Sequence, residues 1–511
     1  MSEIYDKLVE LSKSEDYPFH MPGHKRNLEA FEESVGKSEK SLIQSMYTDN
    51  LINSEDLQEK DFDDSPKKAL SEICKLDITE IDGFDNLHFP EGLIKLAEER
   101  ANRLYKADET FFLINGSTCG VLSGVMAATK YGDKILVQRN SHKSLYNAAY
   151  LNNLCLEYFE CDVDQEYGYS SKVDPKAIED KLKECRDVSA VFITSPSYEG
   201  VPSDVEAISE IVHGYGIPLI VDEAHGAHFG FDSRVPIGAI EQGADIVIHS
   251  VHKTLPSMTQ TALLHVQGNF VDVQRIKRYL GIFQSSSPSY VLMASIDNCM
   301  DFLDLKKDDW FNSLIDFREF IEQRTKCCEF IKVLDLSKIP DPCKIVITSE
   351  KRAGIDGKQL YSLLREKYHL QPEMASFRYV LMILTGNDTK LGVERLVDAI
   401  IDINKTIKED ISQNEQVYRN NEANYNYVKD KSYKREYNIS EALDADYAYN
   451  EMENSVGKIS ADFVFLYPPG SPLIVPGEVV TEEFVKTVRK AISTNLDVKG
   501  LNDKNQIKIM K

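Results

Sequence analysis

The chain has 511 residues, 42% of them hydrophobic and 28% charged, and a formal net charge of −24. That length leaves room for two or more domains with a large core, and the acidic balance argues against nucleic acid as a partner. No apolar run approaches the ~18 residues of a membrane span, the charged and amphipathic start is not a signal peptide, and nine cysteines without a CxxC pair or metal-type histidine spacing read as reduced thiols of a cytoplasmic protein with no metal site.

Residues 1–16 place Ile4, Leu8, Val9 and Leu11 at helical spacing, and Tyr17-Pro18 ends that helix. The turn-rich stretch HMPGHKRN follows, and residues 27–70, polar and weakly patterned, read as arm and linker. Residues 77–88 are loop-like. At Pro90 they give way to an amphipathic helix, EGLIKLAEERANRLY, with apolar residues at 93, 94, 96, 97, 101 and 104. A short strand at 111–114 then runs through Asn115-Gly116-Ser117-Thr118 into a small-residue helix. Strand, Gly-Ser-Thr, helix makes a phosphate cradle: free backbone N–H groups and the positive helix end meet an anion, and the hydroxyls of Ser117 and Thr118 add donors. A helix with ordinary Ser/Thr caps shows the same pattern. Neither a Walker A loop nor a GxGxxG fingerprint is present.

Strands follow at 134–138 and 188–194. A helix at 205–215 has Val205, Ile208, Ile211 and Val212 on one face, and a strand at 218–221 ends in Asp222. Strand–helix alternation from about residue 90 to 265 implies an α/β fold with a mostly parallel sheet and helices on both faces. An acid at the C-terminal end of a parallel strand stands where open α/β sheets place ligand chemistry, although a helix N-cap explains it as well. Residues 244–266, ADIVIHSVHKTLPSMTQTALLHV, read as strand, loop, strand, with Lys253 on the loop. A loop lysine is ordinarily a solvated charge. In a partly dry pocket its pKa falls and it becomes a nucleophile toward carbonyls. Paired with Asp222 it suits a pyridoxal phosphate (PLP) site, the lysine forming the Schiff base and the acid keeping the pyridine nitrogen protonated. Two other His-Lys pairs, at 24/25 and 142/143, compete for this role. Lys25 has no strand before it, Lys143 precedes what reads as an exposed helix, and Lys253 alone sits between two apolar strands.

VDEAHGAH at 221–228 and SVHKTLPSMTQTALLHV at 250–266 resemble the Orn/Lys/Arg decarboxylase family of fold-type-I PLP enzymes. So do FHMPGHK at 19–25, DITEIDGFDNLH at 77–88, FFLINGSTCG at 111–120 and YPPGSPLIVPGE at 467–478. These matches fall in one order across nearly the whole chain. The resemblance implies an aspartate aminotransferase-like fold with an arm and linker at 1–70, a PLP-binding large domain at 71–305 and an α+β C-terminal domain at 306–511. Larger members carry a wing domain, for which the stretch before residue 19 leaves no room. The Schiff base is implied at Lys253, with His252 beside it, Asp222 at the ring nitrogen, His142 stacked on the ring, His225 near it and Ser250 at the phosphate. FQSSSPSY at 283–290 is by composition a polar turn. The resemblance sends Ser285 or Ser286 to the phosphate of the neighbouring subunit, and thus implies a homodimer with shared active sites, or a higher oligomer built on it. It also places His24 and Lys25 near the cofactor or the partner subunit.

The implied reaction is decarboxylation of arginine, lysine or ornithine to its amine, a step of polyamine biosynthesis. His252 and Lys253 are candidates for returning the proton. Glu199, Glu373 and Glu478 are unranked candidates for holding the cationic side chain. The alternatives are an aminotransferase or lyase of the same fold, with Arg378 as a possible carboxylate clamp, and a non-catalytic PLP-binding protein. Further along, the pattern predicts a helix around 310–333, a strand at 343–348, a helix at 357–368, a strand at 379–384 and a long helix at 391–407. Residues 410–450 read as an exposed, partly flexible insertion, and the prolines and glycines of 467–478 as a rigid loop shaping a pocket wall.

Overall fold

The computed structural model describes residues 15–25, 73–413, 434–467 and 470–511. The expected N-terminal helix, the 27–70 linker and much of the 410–450 insertion lie outside the described residues.

A strand buried on both faces must be a nearly continuous apolar run, and such runs build the central sheet. After the short arm strand β1 (Tyr17–Phe19) come β2 (Glu109–Leu113), β3 (Lys134–Gln138), β4 (Cys155–Phe159), β5 (Val188–Thr194), β6 (Leu219–Asp222), β7 (Ile246–His249) and β8 (Ala262–Val266). Their order is β2-β8-β7-β6-β5-β3-β4. Neighbours from β7 to β4 are parallel, whereas β8 runs antiparallel to both β7 and β2. Alternate residues feed opposite layers. Ile220, Ile246 and Ile248 pack with helices Gly116–Ala128, Lys143–Leu151 and Val273–Phe283. Val221 and Val247 pack with helices Pro175–Glu184 and Val205–Gly214. The α/β fold with a mostly parallel sheet is as expected.

Two expectations about helices need correction. Helix Lys143–Leu151 is not exposed, since Leu145, Tyr146, Ala148 and Ala149 are buried. Lys143 Nζ caps the Phe463 and Phe465 rings at 5.0 and 5.2 Å from their centroids. The helix expected at 310–333 is instead a single 36-residue helix, Tyr290–Thr325, about 54 Å long. It starts early because Ser289 caps it and Met293, Ile296, Met300 and Leu303 already repeat at helical spacing. It stops before β9 (Ile331–Val333), whose residues pair with β10 (Lys344–Ser349).

β9 and β10 join β12 (Met374–Ala375) and β13 (Tyr379–Ile383) in an antiparallel sheet. It is covered by helices Gly357–Tyr368 and Lys390–Gln413. β1 pairs in parallel with β11 (Leu370–Pro372), so the arm is tied to this region. The last part of the chain surrounds a separate cluster that includes Val464, Phe484, Val488 and Ile507. It is joined to the turn that follows β3 by a buried ion pair, Arg139 with Glu478. All nine cysteines are free thiols, and among the described residues no helix is long and apolar enough to cross a membrane.

Candidate active site

The site forms where β6 and β7 end. Asp222 pairs with Thr194 of β5 on one side and Ile248 of β7 on the other. Its carboxylate is 5% exposed and accepts the Ala224 N–H at 3.2 Å. Lys253 is not on a loop. It lies on a one-turn helix, Val251–Thr254, in which Val251 and Thr254 are buried and His252 and Lys253 are half-buried. Lys253 is half-buried, and burial, opposed by Asp222 and assisted by Lys344, pushes its pKa down to about 8. Relative to a solvated lysine, that raises the neutral fraction near neutrality by roughly two orders of magnitude. Burial pushes the Asp222 carboxyl up, and Lys253 works against that rise.

The arm fixes this turn. The Gly23 N–H donates to the His252 carbonyl at 2.8 Å. A Cβ on Gly23 would fall 2.6 Å from Thr254 C and 2.8 Å from Thr254 O, both backbone atoms that cannot swing aside. Gly23→Ala is therefore expected to cost about 1–3 kcal/mol by overpacking. Urea unfolding measures this, and an unchanged midpoint would disprove the close approach. Lys25 is spent nearby: its Nζ donates to the carbonyls of Pro18 (3.2 Å), His20 (3.4 Å) and Ile383 (2.6 Å), 3.9 Å from Asp388. This structural role separates it from Lys253. His24 lies within electrostatic reach of His252.

His252 Nδ1 lies 2.9 Å from the Thr261 carbonyl. A carbonyl only accepts, so Nδ1 carries the N–H and Nε2 keeps a lone pair. Burial pushes the ring pKa to about 4, so the neutral ring has no proton to give from Nε2. His142 caps its helix, with Nδ1 accepting the Ser144 N–H at 3.2 Å. Its ring is exposed, yet desolvation, then Lys253 and Lys143, push its pKa to about 4. The 467–478 segment returns over this ring, since a Cβ on Gly470 would meet His142 Cδ2 at 3.5 Å. Pro468 and Pro469 lie outside the described residues.

The helix that begins at Gly116 (φ +73°) has no side-chain cap from Asn115, and no acidic residue occupies its first turn. Ser117 is half-buried and Thr118 exposed there. Ser250 Oγ is buried and makes no hydrogen bond. Ser285 and Ser286 are exposed; the Ser285 hydroxyl makes a local turn, with Oγ 3.2 Å from the Ser287 carbonyl and N–H, and the Ser285 carbonyl lies 2.8 Å from His88 Nε2. Within one chain they are not brought to Lys253.

Of the three carboxylates, Glu478 is excluded by its own partner. It is bidentate to Arg139 at 2.8 and 3.1 Å and accepts the Val475 N–H. Glu199 is buried against the Tyr379 hydroxyl at 2.5 Å, and burial raises its pKa. Glu373 is half-buried and accepts from the Tyr198 hydroxyl at 2.6 Å and the Met21 N–H at 3.1 Å. It is within electrostatic reach of Lys253 and His252. Arg378 donates to the Glu166 carbonyl and sits 5.8 Å from the Tyr167 ring.

Residues 62–340 match the Orn/Lys/Arg decarboxylase major domain, and residues 418–495 match its C-terminal domain. The chain belongs to the Orn/Lys/Arg decarboxylase family. It is 32% identical to the uncharacterized protein YaaO of Bacillus subtilis, over 97% of this chain and 95% of that one. It is 30% identical to the arginine decarboxylase of Bacillus anthracis, over 98% and 95%. Lysine decarboxylase A from Pseudomonas aeruginosa has the same fold, with a TM-score of 0.70 and 18% identity over 96% of this chain and 81% of that one. The α/β fold with its mostly parallel central sheet is shared with solved lysine decarboxylases and other fold-type-I PLP enzymes.

For a member of this family, the residues present fit pyridoxal phosphate: an uncapped helix start and an unpartnered Ser250 hydroxyl for the phosphate, a carboxylate for the ring nitrogen and a depressed lysine amine. Two features were not anticipated from the sequence. Lys344 Nζ bonds His225 Nδ1 at 2.7 Å. Beneath the site, Glu223, His249, His265 and Thr110 form a buried hydrogen-bonded chain at 2.7, 3.0 and 2.7 Å. The signal for the second was present, because histidines inside the apolar strands β7 and β8 need buried partners.

Proposed function

We propose that the protein decarboxylates a basic amino acid, arginine foremost, with pyridoxal phosphate held at Lys253. The pairing of Lys253 with Asp222 at the ends of adjacent parallel strands carries this reading. Relatives named arginine decarboxylase, aligned over nearly the full chain, favour arginine.

When bound, the cofactor supplies an aldehyde for the amine and a ring that accepts the electrons left by the departing carboxylate. The protein does the rest. Asp222 would keep the ring nitrogen protonated. The N-terminus of helix Gly116–Ala128, Ser117, Thr118 and Ser250 would hold the phosphate. His142 would line the ring pocket, and His225 stands beside Lys253. Neutral His252 lacks an available proton at Nε2, so Lys253 returns the proton to the α-carbon. Ser285 and Ser286 serve the site of a second subunit in a homodimer in the cytoplasm. Along the chain, the reading assigns residues 1–70 to an arm and linker, 71–305 to the cofactor-binding large domain and 306–511 to the C-terminal small domain, with the Tyr290–Thr325 helix spanning the boundary between the last two.

The test is product analysis. Protein with pyridoxal phosphate is given arginine, lysine or ornithine, and agmatine, cadaverine or putrescine is followed with carbon dioxide by mass spectrometry. No amine from any of the three, with the cofactor bound, overturns the reading.

Glu373 is the carboxylate proposed to hold the cationic side chain. Losing a charge-assisted hydrogen bond costs about 1.5–3 kcal/mol. Glu373→Gln is thus expected to raise KM for the preferred substrate roughly 10- to 100-fold, with a smaller effect on an analogue whose side chain is uncharged. Equal effects on both substrates would assign Glu373 to the scaffold.

A further inference from the structure

Three nitrogen-bearing side chains stand in a row at this site. His225 Nε2 is 3.0 Å from Lys253 Nζ, and His225 Nδ1 is 2.7 Å from Lys344 Nζ. His225 is 6% exposed and follows β6, whereas Lys344 is fully buried and opens β10 in the other sheet. Burial, then the two lysines, hold the imidazole pKa well below its ordinary value, so the ring is neutral.

The valences over-determine the arrangement. A neutral imidazole has one N–H and one lone pair, and an ammonium has only donors. Two ammonium groups cannot both bond this ring. The lysine that faces the ring N–H must accept as a neutral amine, and the other donates to the ring lone pair, as an ammonium in the charged form of the row.

We propose that Lys344 is the positioning residue for the proton of Lys253, exchanging it through His225. In the exchange the Lys253 ammonium breaks an N–H bond and His225 Nε2 forms one. His225 Nδ1 gives up its hydrogen, and Lys344 Nζ gains it. One proton and one unit of charge move from Lys253 to Lys344, the ring ends neutral in its other tautomer, and no electrons are gained or lost. Lys253 is left as the neutral amine that attack on a carbonyl requires. The proposal rests on Lys253 being the cofactor amine.

The surroundings suit such an exchange. Lys344 Nζ lies 5.5 Å from the Tyr198 ring centroid, a position that favours a cation. Asp341, Glu373, Cys343 and Glu199 face it and raise its pKa against the larger effect of burial. Asp222 and Glu373 face Lys253, and His252 and His142 face His225. Both lysines thus face acidic groups that oppose the effect of burial. The Lys344 stem is seated closely, because a Cβ on Gly200 would come 2.5 Å from its Cγ.

The experiment uses cofactor-free, full-length protein. Pyridoxal phosphate is added, and its capture by Lys253 is timed by absorbance across about pH 6–10. Capture needs the neutral amine, so the rate rises with pH through the apparent pKa of Lys253, which lies at about 8. Lys344→Met removes a neighbouring cation and the proton's destination, and the profile is expected to move up by about one unit. Lys344→Arg supplies a donor that cannot be deprotonated. It fixes the N–H of His225 toward Lys253, and the profile is expected to move down. A lysine that merely fills space would move both profiles the same way or neither, and either result overturns the proposal.

A second measurement covers failure of the arginine variant to fold. Solid-state NMR of the unaltered protein, labelled with 15N-histidine and assigned by His225→Gln, is expected to show both His225 nitrogens at shifts between the protonated and unprotonated values. One fixed tautomer overturns the exchange. Absence of capture by the unaltered protein would instead count against Lys253 as the cofactor amine, while the NMR result would still judge Lys344.

Discussion

Lys253→Ala is expected to lower kcat by at least about 10³-fold and to remove the borohydride-fixed cofactor adduct from the peptide that carries residue 253. The effect is large because this amine combines two conditions that the neighbouring lysines do not share. It stands on a turn between the ends of β7 and β8, beside Asp222, and burial lowers its pKa to about 8 while leaving it half-buried and reachable. Lys25 is consumed by three backbone carbonyls, and Lys143 by two aromatic rings. The phosphate cradle does not include Lys253, so the variant should still bind pyridoxal phosphate without a covalent link. Mass spectrometry of the reduced, digested protein decides the matter. An adduct on Lys344 or Lys143, or turnover that survives the substitution, would remove Lys253 from its proposed role.

Glu478→Ala is expected to destabilise the protein by about 3–5 kcal/mol, because it strands the Arg139 guanidinium in the interior. Both side chains of the pair are almost completely buried. Arg139 also donates to the Pro472 carbonyl at 2.9 Å and lies 5.4 Å from the Tyr158 ring centroid. Removing both charges together is a different change. Arg139→Met with Glu478→Leu should cost far less than either single substitution, since a buried pair spends most of its attraction on desolvation. Urea unfolding of the two singles and the double gives the coupling. Additive losses would mean that the pair is not an energetic unit. KM for the amino acid should be nearly unchanged in the double variant, in contrast to Glu373→Gln.

The central sheet was legible because burial on both faces demands apolar runs. Strands Lys134–Gln138 and Val188–Thr194 were read residue for residue, and Ala262–Val266 is the second strand of the strand–loop–strand reading of 244–266. Asp222 and Lys253 were legible for a related reason: each follows such a run, where a charged residue breaks the pattern. Local pattern failed where it had to report a partner. The 36-residue helix was misplaced because its first half buries residues around a wide arc, and its C-terminal limit is set by the pairing of β9 with β10, a contact no local pattern reports. The turn carrying Lys253 is too short for periodicity to register.

Glu199, Glu373 and Glu478 are indistinguishable as letters in loops. Their separate fates depend on Tyr379, on Tyr198 with Met21, and on Arg139, all far away along the chain. Lys344 opens an ordinary strand, and nothing in its neighbourhood announces chemistry. By itself the sequence determined the layered sheet, the acid at one strand end and the lysine after the next, because burial period and residue type are properties of a short stretch. Only the tertiary structure decided which carboxylate faces the site, which is locked in an ion pair and which second lysine meets His225. Those are contacts between segments distant in the chain, and they exist only once the arm, the two sheets and the C-terminal part have packed together.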